Sequence, residues 1–268
     1  MVHRTWLFVA IACSWFACSR PAEPNQSAAA PVAVAAPDRP HQLTVFATDS
    51  ARAPCTALAR LYEQQHPGAS VVLRCEGGAQ LVSALLAGAP ADVVVIADSS
   101  LMSRLAAGAL LAPGSPTELT RNRLALVVAK GNPRQIQTLS DCARTGVRLA
   151  LGARSASIGR HGRWVLSRLE LHPEPAVEAP TAAGVLEHIA AGRADVGIVY
   201  QTTLRGAPDT VQAVELPLAD NTAALYSISA IREAPEPQAA AAFRALALGA
   251  DGQRQFAEHG FLPQGTKD

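Results

Sequence analysis

From Leu43 onward, short runs of consecutive apolar residues alternate with stretches in which apolar residues recur every three or four positions. The runs at 43–47, 71–73 and 93–96 predict buried strands. Between the first two, Cys55, Leu58, Leu61, Tyr62 and Gln65 fall at helical spacing, with Pro54 placed to open the helix and His66-Pro67-Gly68 to end it. Leu81, Val82, Leu85 and Leu86 mark a second helix, closed by Gly88, and a third spans 99–107. This order, with strands apolar on nearly every residue, predicts a parallel sheet covered by helices on both faces.

Beyond Arg121 the alternation is less even. Segments 124–129 and 225–231 are both extended and apolar but lie far apart in sequence, and between them come strands near 148–151 and 196–199 with helices near 160–169 and 182–190. The tail returns to helix at 238–248 and 251–259. The pattern predicts an α/β chain of two lobes. Lobe 1 takes residues 42–122 and 222–268, lobe 2 takes 123–221, and two strands cross between them. Each lobe is a mostly parallel sheet flanked by helices, and the cleft between lobes is the natural ligand site.

The N-terminus has a different pattern. Residues 6–17 form one apolar run behind His3 and Arg4, about twelve residues where spanning a bilayer takes roughly twenty. Residues 1–18 therefore read as an export signal. The run ends at Ala17-Cys18, which resembles a bacterial lipoprotein processing site with Cys18 as the lipidated residue. Cys13 after Ala12 is a rival, and an ordinary cleaved signal ending at a later alanine is the alternative. Five prolines and seven alanines between residues 21 and 40 block helix and ladder formation, so 19–41 reads as an extended spacer.

Composition narrows the function. A chain that is 49% hydrophobic is not disordered throughout, and 23 basic against 22 acidic side chains provide no electrostatic surface for nucleic acid. The seven histidines show no metal-ligand spacing, and only His161 is expected near the cleft.

Four strand ends run into helices through small or polar residues: Ala47-Thr48-Asp49-Ser50, Glu76-Gly77-Gly78-Ala79, Ser155-Ala156-Ser157-Ile158-Gly159 and Pro180-Thr181-Ala182-Ala183. In a parallel α/β fold such turns gather at one edge of the sheet, with helix N-termini aimed into the crevice. Their first N–H groups have no partner within the helix and carry partial positive charge, which suits a small anion without any lysine or arginine. The plainer reading makes Ser50, Ser157 and Thr181 simple N-caps.

Several of these segments resemble the molybdate-binding proteins of ABC transporters. They are 43–47 followed by Ser50, Gly77-Gly78 with Leu81, Gly88-Ala89-Pro90-Ala91-Asp92-Val93, Ala97-Asp98, Leu149-Ala150-Leu151-Gly152, Gly159-Arg160-His161, Val196-Gly197-Ile198-Val199-Tyr200 and Gly260-Phe261. The resemblance implies a type II-like periplasmic-binding-protein fold and an oxyanion, molybdate or tungstate, buried between the lobes on neutral donors. No cofactor and no catalysis are implied. The implied partner is an ABC permease, and the protein would be a monomer outside the cytoplasm, touching the membrane only through its anchor.

By position, the implied ligand residues are Ser50, Gly78, Ile158 or Gly159, Ala182 and Tyr200. Gly78 stands where the family has a serine, so only its N–H remains and the cavity is expected to enlarge. Tyr200 has a second reading as a half-buried aromatic at a strand end. Asp49 and Glu76 stand where a free carboxylate would repel an anion. Either they turn away, or the ligand is a protonated oxyanion such as hydrogen phosphate or arsenate, or else sulfate-like. A role in sensing, or a hydrolase built on Ser50, are further alternatives, but no Gly-x-Ser-x-Gly elbow surrounds Ser50. Cys55 and Cys75 lie on elements expected to pack together, so in an oxidising compartment they are a disulfide candidate; two buried thiols are the alternative, and Cys142 is left over.

Overall fold

Apolar residues of successive strands sort onto two faces. In the computed structural model, which describes residues 42–217, 221 and 223–266, strand β1 (Gln42–Thr48) is flanked by β2 (Ser70–Glu76) and β3 (Val93–Ile96), both parallel to it. Leu43, Val45, Val93 and Val95 face one side, where helix α1 (Arg52–Gln65) and the C-terminal helices α6 (Pro237–Leu248) and α7 (Ala250–Glu258) supply Leu58, Tyr62, Phe243 and Phe256. Phe46, Val94 and Ile96 face the other side, against Leu81 and Leu85 of α2 (Gly78–Leu86) and Leu101, Met102 and Leu105 of α3 (Ser99–Ala107). This is the period-two alternation of a strand buried on both faces, with each large side chain contributing about 1.5–3 kcal/mol when fully buried. The export signal, Cys13, Cys18 and the spacer to His41 lie outside the described residues.

Strand β4 (Thr117–Asn122) completes the first sheet at one edge, and the chain then passes through Arg123 into β5 (Leu124–Ala129) of a second sheet. That sheet also holds β6 (Leu149–Gly152), β7 (Val177–Ala179), β8 (Val196–Tyr200) and β9 (Val211–Val214) in the order β7-β6-β8-β5-β9, with helices α4 (Ser157–Arg168) and α5 (Ala182–Ala190) packed on it. The chain returns as β10 (Ala224–Ala230), giving the first sheet the order β2-β1-β3-β10-β4. Each sheet thus has one reversed strand, β10 in the first and β5 in the second, antiparallel to both neighbours. The two passages between the sheets are tied together at Asn221, whose side chain accepts from the Leu124 N–H at 2.9 Å and donates to the Leu124 carbonyl at 2.7 Å.

Two helices start earlier than their sequence pattern predicts. Helix α1 begins at Arg52, so Pro54 sits inside the first turn, where its missing N–H costs no helical bond. Helix α4 begins at Ser157 rather than near Arg160, because the hydrophobic period reports only where the helix touches the core. Strands β4, β7 and β9 had no apolar run to announce them; all three are sheet edges.

Candidate ligand-binding cleft

All four turns open into one cleft of about 650 Å³ between the two sheets. The first lobe contributes Asp49, Ser50, Glu76, Gly77, His259 and Phe261, and the second contributes Ala156, Ser157, Ile158, Thr181, Ala182 and Tyr200. In α4 the first intrahelical bond runs from the Arg160 N–H to the Ala156 carbonyl at 3.1 Å, so the N–H groups of Ser157, Ile158 and Gly159 precede it. No side chain caps this helix. In α5 Thr181 is an N-cap, accepting from the Gly184 N–H at 3.1 Å, and the Ala182 N–H is left ahead of the first helical bond.

Ser50, Ile158, Ala182 and Tyr200 therefore share the cleft, and Gly159 does not line it. A Cβ on Gly159 would lie 2.0 Å from the Ala153 carbonyl oxygen and 2.3 Å from that of Gly152, so this glycine lets α4 pack against the end of β6. Gly78 is buried behind Gly77, and the expected enlargement is absent. The space a side chain would take there is closed by Leu101 Cδ1 at 3.1 Å, Thr48 Cγ2 at 3.2 Å and Ser157 Oγ at 3.4 Å from the Cβ position.

Three buried hydroxyls at this junction, those of Thr48, Ser157 and Tyr200, have no hydrogen-bond partner in the protein. Tyr200 is wholly buried rather than half-buried. Burial above all, then the neighbouring Tyr226, pushes its pKa well above the ordinary tyrosine range, so it stays a neutral donor. Ser50 is held differently. The Tyr226 hydroxyl donates to Ser50 Oγ at 2.8 Å, which leaves the serine's own proton to point elsewhere. Sequence reasoning missed Tyr226, since 176 residues separate the two and nothing local marks the contact.

The two acidic departures are neutralised in place. Asp49 accepts from Arg52 at 2.7 Å, and Arg52 also reaches the Cys75 carbonyl. Glu76 accepts from Arg74 at 2.6 Å, a bond that holds its carboxyl below the usual range. The charged residues of the lining, Asp49 and Glu76 against Arg52 and Arg205, balance formally. His161, the one histidine expected near the cleft, lines an adjoining cavity of about 460 Å³ with Asp98, Ser157 and Arg160, while it is His259 that reaches the main cleft.

Cys55, Cys75 and Cys142 are free thiols, so the expected Cys55–Cys75 bridge is not formed. The two remain neighbours, as Cys75 adds to the effect of burial in raising Cys55, and burial raises Cys75 itself to about 11.

Residues 43–262 match the family described as bacterial extracellular solute-binding protein. The chain belongs to that family. Over 243 residues this solute-binding protein is 29% identical to the Mycobacterium bovis protein named Molybdate-binding protein ModA, covering 91% of the present chain and 88% of the relative. Its two-lobed fold is shared with the Azotobacter vinelandii periplasmic molybdate-binding protein, at 22% identity and a TM-score of 0.68 over 83% of this chain and all of that one. The sulfate-binding protein SubI from Mycobacterium tuberculosis H37Rv also has it, at 19% identity and a TM-score of 0.72 over 83% and 87%. A solute-binding protein captures its ligand unchanged. This one is not an enzyme, and the binding needs no cofactor.

Proposed function

We propose that this solute-binding protein captures a fully deprotonated tetrahedral oxyanion, molybdate or tungstate, and delivers it to an ABC permease. The observation that carries the reading is the polarity of the cleft: buried hydroxyls without partners and unbonded helix N–H groups face it, while both nearby carboxylates are engaged by arginines. Donors without partners of their own suit a dianion, and the arginines on Asp49 Oδ1 and Glu76 Oε1 compete for the carboxylates that would have to accept the proton of hydrogen phosphate. Ser50, Ile158, Ala182 and Tyr200 are the ligand donors in this reading, with the Gly78 N–H behind them. The molybdate-binding relative supports the choice of ion. Export by residues 1–18, lipidation at Cys18 and a spacer over 19–41 complete the proposal, holding the binding lobes outside the cytoplasm near the permease.

Calorimetric titration of the purified protein at pH 7 tests it. Molybdate and tungstate should bind with similar affinity, and phosphate far more weakly. Sulfate is the second reading because it too is a dianion that needs only donors. Tighter binding of sulfate than of molybdate would transfer the assignment to sulfate. Tighter binding of phosphate would mean that Asp49 or Glu76 leaves its arginine to accept the ligand's proton.

A further inference from the structure

We propose that the Ser157 hydroxyl is a ligand donor in this cleft, reaching from the second lobe into the place where Gly78 of the first lobe has no side chain. The inference rests on the oxyanion reading of the same site.

Ser157 lies at the start of α4 and is only 8% exposed. Its Oγ is buried and has no hydrogen-bond partner, and the residue lines the cleft. A serine near a helix start usually serves as the N-cap, accepting from a backbone N–H two or three residues on. Here Ala156 holds the cap position and no side chain caps the helix, so that role does not explain the hydroxyl. Serine is also a poorer helix former than alanine, and a buried hydroxyl without a partner costs stability. Nothing in the ligand-free protein offsets either cost.

A bound anion would. The Ser157 Oγ lies 3.4 Å from the position that a Cβ of residue 78 would occupy. It therefore stands within reach of the volume that a serine side chain at 78 would sweep. Thr48 does not compete for this role, because its methyl rather than its hydroxyl faces that position, at 3.2 Å. The N–H groups of Ser157 and Ile158 precede the first helical bond of the same turn, so one segment presents a side-chain donor and main-chain donors together. Supplying the hydroxyl from the second lobe also means that the ligand is shared more evenly between the lobes.

The test titrates purified wild-type protein and Ser157→Ala with sodium molybdate, tungstate and sulfate by calorimetry, and follows thermal unfolding of both without ligand. The expected result is an affinity for the preferred oxyanion about tenfold or more weaker in the variant, as for one lost hydrogen bond to a charged group. The ligand-free unfolding midpoint should be unchanged or raised, since the hydroxyl removed had no partner. Equal affinity of variant and wild type for an oxyanion that wild type does bind overturns the inference and leaves the oxyanion reading standing. A weaker variant that is also destabilised without ligand overturns it as well, by assigning the hydroxyl to the fold. Wild-type protein that binds none of these ions overturns the oxyanion reading, and this inference with it.

Discussion

Tyr200 and Ser50 reach the same cleft with opposite preparation. Tyr200 is buried with an unsatisfied hydroxyl, whereas Ser50 already accepts from Tyr226. Removing the Tyr200 hydroxyl should therefore leave the ligand-free protein as stable as before, while weakening oxyanion binding by roughly 1.5–3 kcal/mol. Calorimetry on Tyr200→Phe checks both halves, and unchanged affinity would remove Tyr200 from the site. The pH dependence has a definite sign. Because the Tyr200 pKa is pushed well above 10, its donor form persists below that value and is lost only as pH rises beyond it. Affinity should show no tyrosine titration between pH 7 and about 9.5; a loss centred in that window would contradict the burial that protects the hydroxyl.

At the level of elements, the strands and helices that build the core announce themselves by period, and three of the four edge strands do not. Strands β1, β3 and β5 are apolar runs buried on both faces, so their pattern needs no context. Strands β4, β7 and β9 read as Thr-Glu-Leu-Thr-Arg-Asn, Val-Glu-Ala and Val-Gln-Ala-Val; edge strands are short and polar because one side lacks a neighbour. The start of α4 was illegible for a related reason. Its first turn is chosen for close approach and for exposed N–H groups, neither of which has a hydrophobic signature. Gly159→Ala should accordingly cost about 3 kcal/mol or more, since a Cβ there meets two carbonyl oxygens that belong to the backbone and cannot swing aside. Urea unfolding measures it, and a loss below 1 kcal/mol would mean that β6 and α4 separate easily.

At the scale of the whole molecule, an ion pair joins the lobes beside the cleft. Asp98 closes the N-terminus of α3 with one carboxylate oxygen, which accepts from the Ser100 and Leu101 N–H groups at 2.8 and 3.2 Å. Its other oxygen accepts from Arg160 of α4 at 2.7 Å. The two side chains are 18% and 26% exposed, which puts the pair between a surface contact and a buried one. Burial opposes ionisation of Asp98, but the bonds from Ser100, Arg160 and Leu101 and the guanidinium charge outweigh it, and its pKa is lowered. A carboxylate so placed adds stability that is present above about pH 4 and is lost as pH falls through its folded value. Asp98→Asn keeps an oxygen for the cap and removes the charge. It should cost about 1 kcal/mol near neutral pH, and its thermal stability should converge with wild type below about pH 4. A gap that does not narrow as pH falls below about 4 would show that the pair is not its source.

The residues by themselves determined the two α/β units, the four small-residue turns at the strand ends and the placing of Ser50, Ala182 and Tyr200 at the cleft, because period, turn chemistry and motif are local properties of the chain. The buried Asp92 of the Gly-Ala-Pro-Ala-Asp stretch is legible as a motif, yet its work is tertiary: it accepts from the Thr44 and Glu236 N–H groups, both at 2.7 Å. Only the folded arrangement decided that Asp49 and Glu76 are neutralised, that Gly78 leaves no void, that Tyr226 supports Ser50 and that Ser157 is left without a partner. Each of these depends on which side chains meet across a lobe boundary or a turn, and a hydrogen bond over 176 residues leaves no trace in the periodicity of either segment.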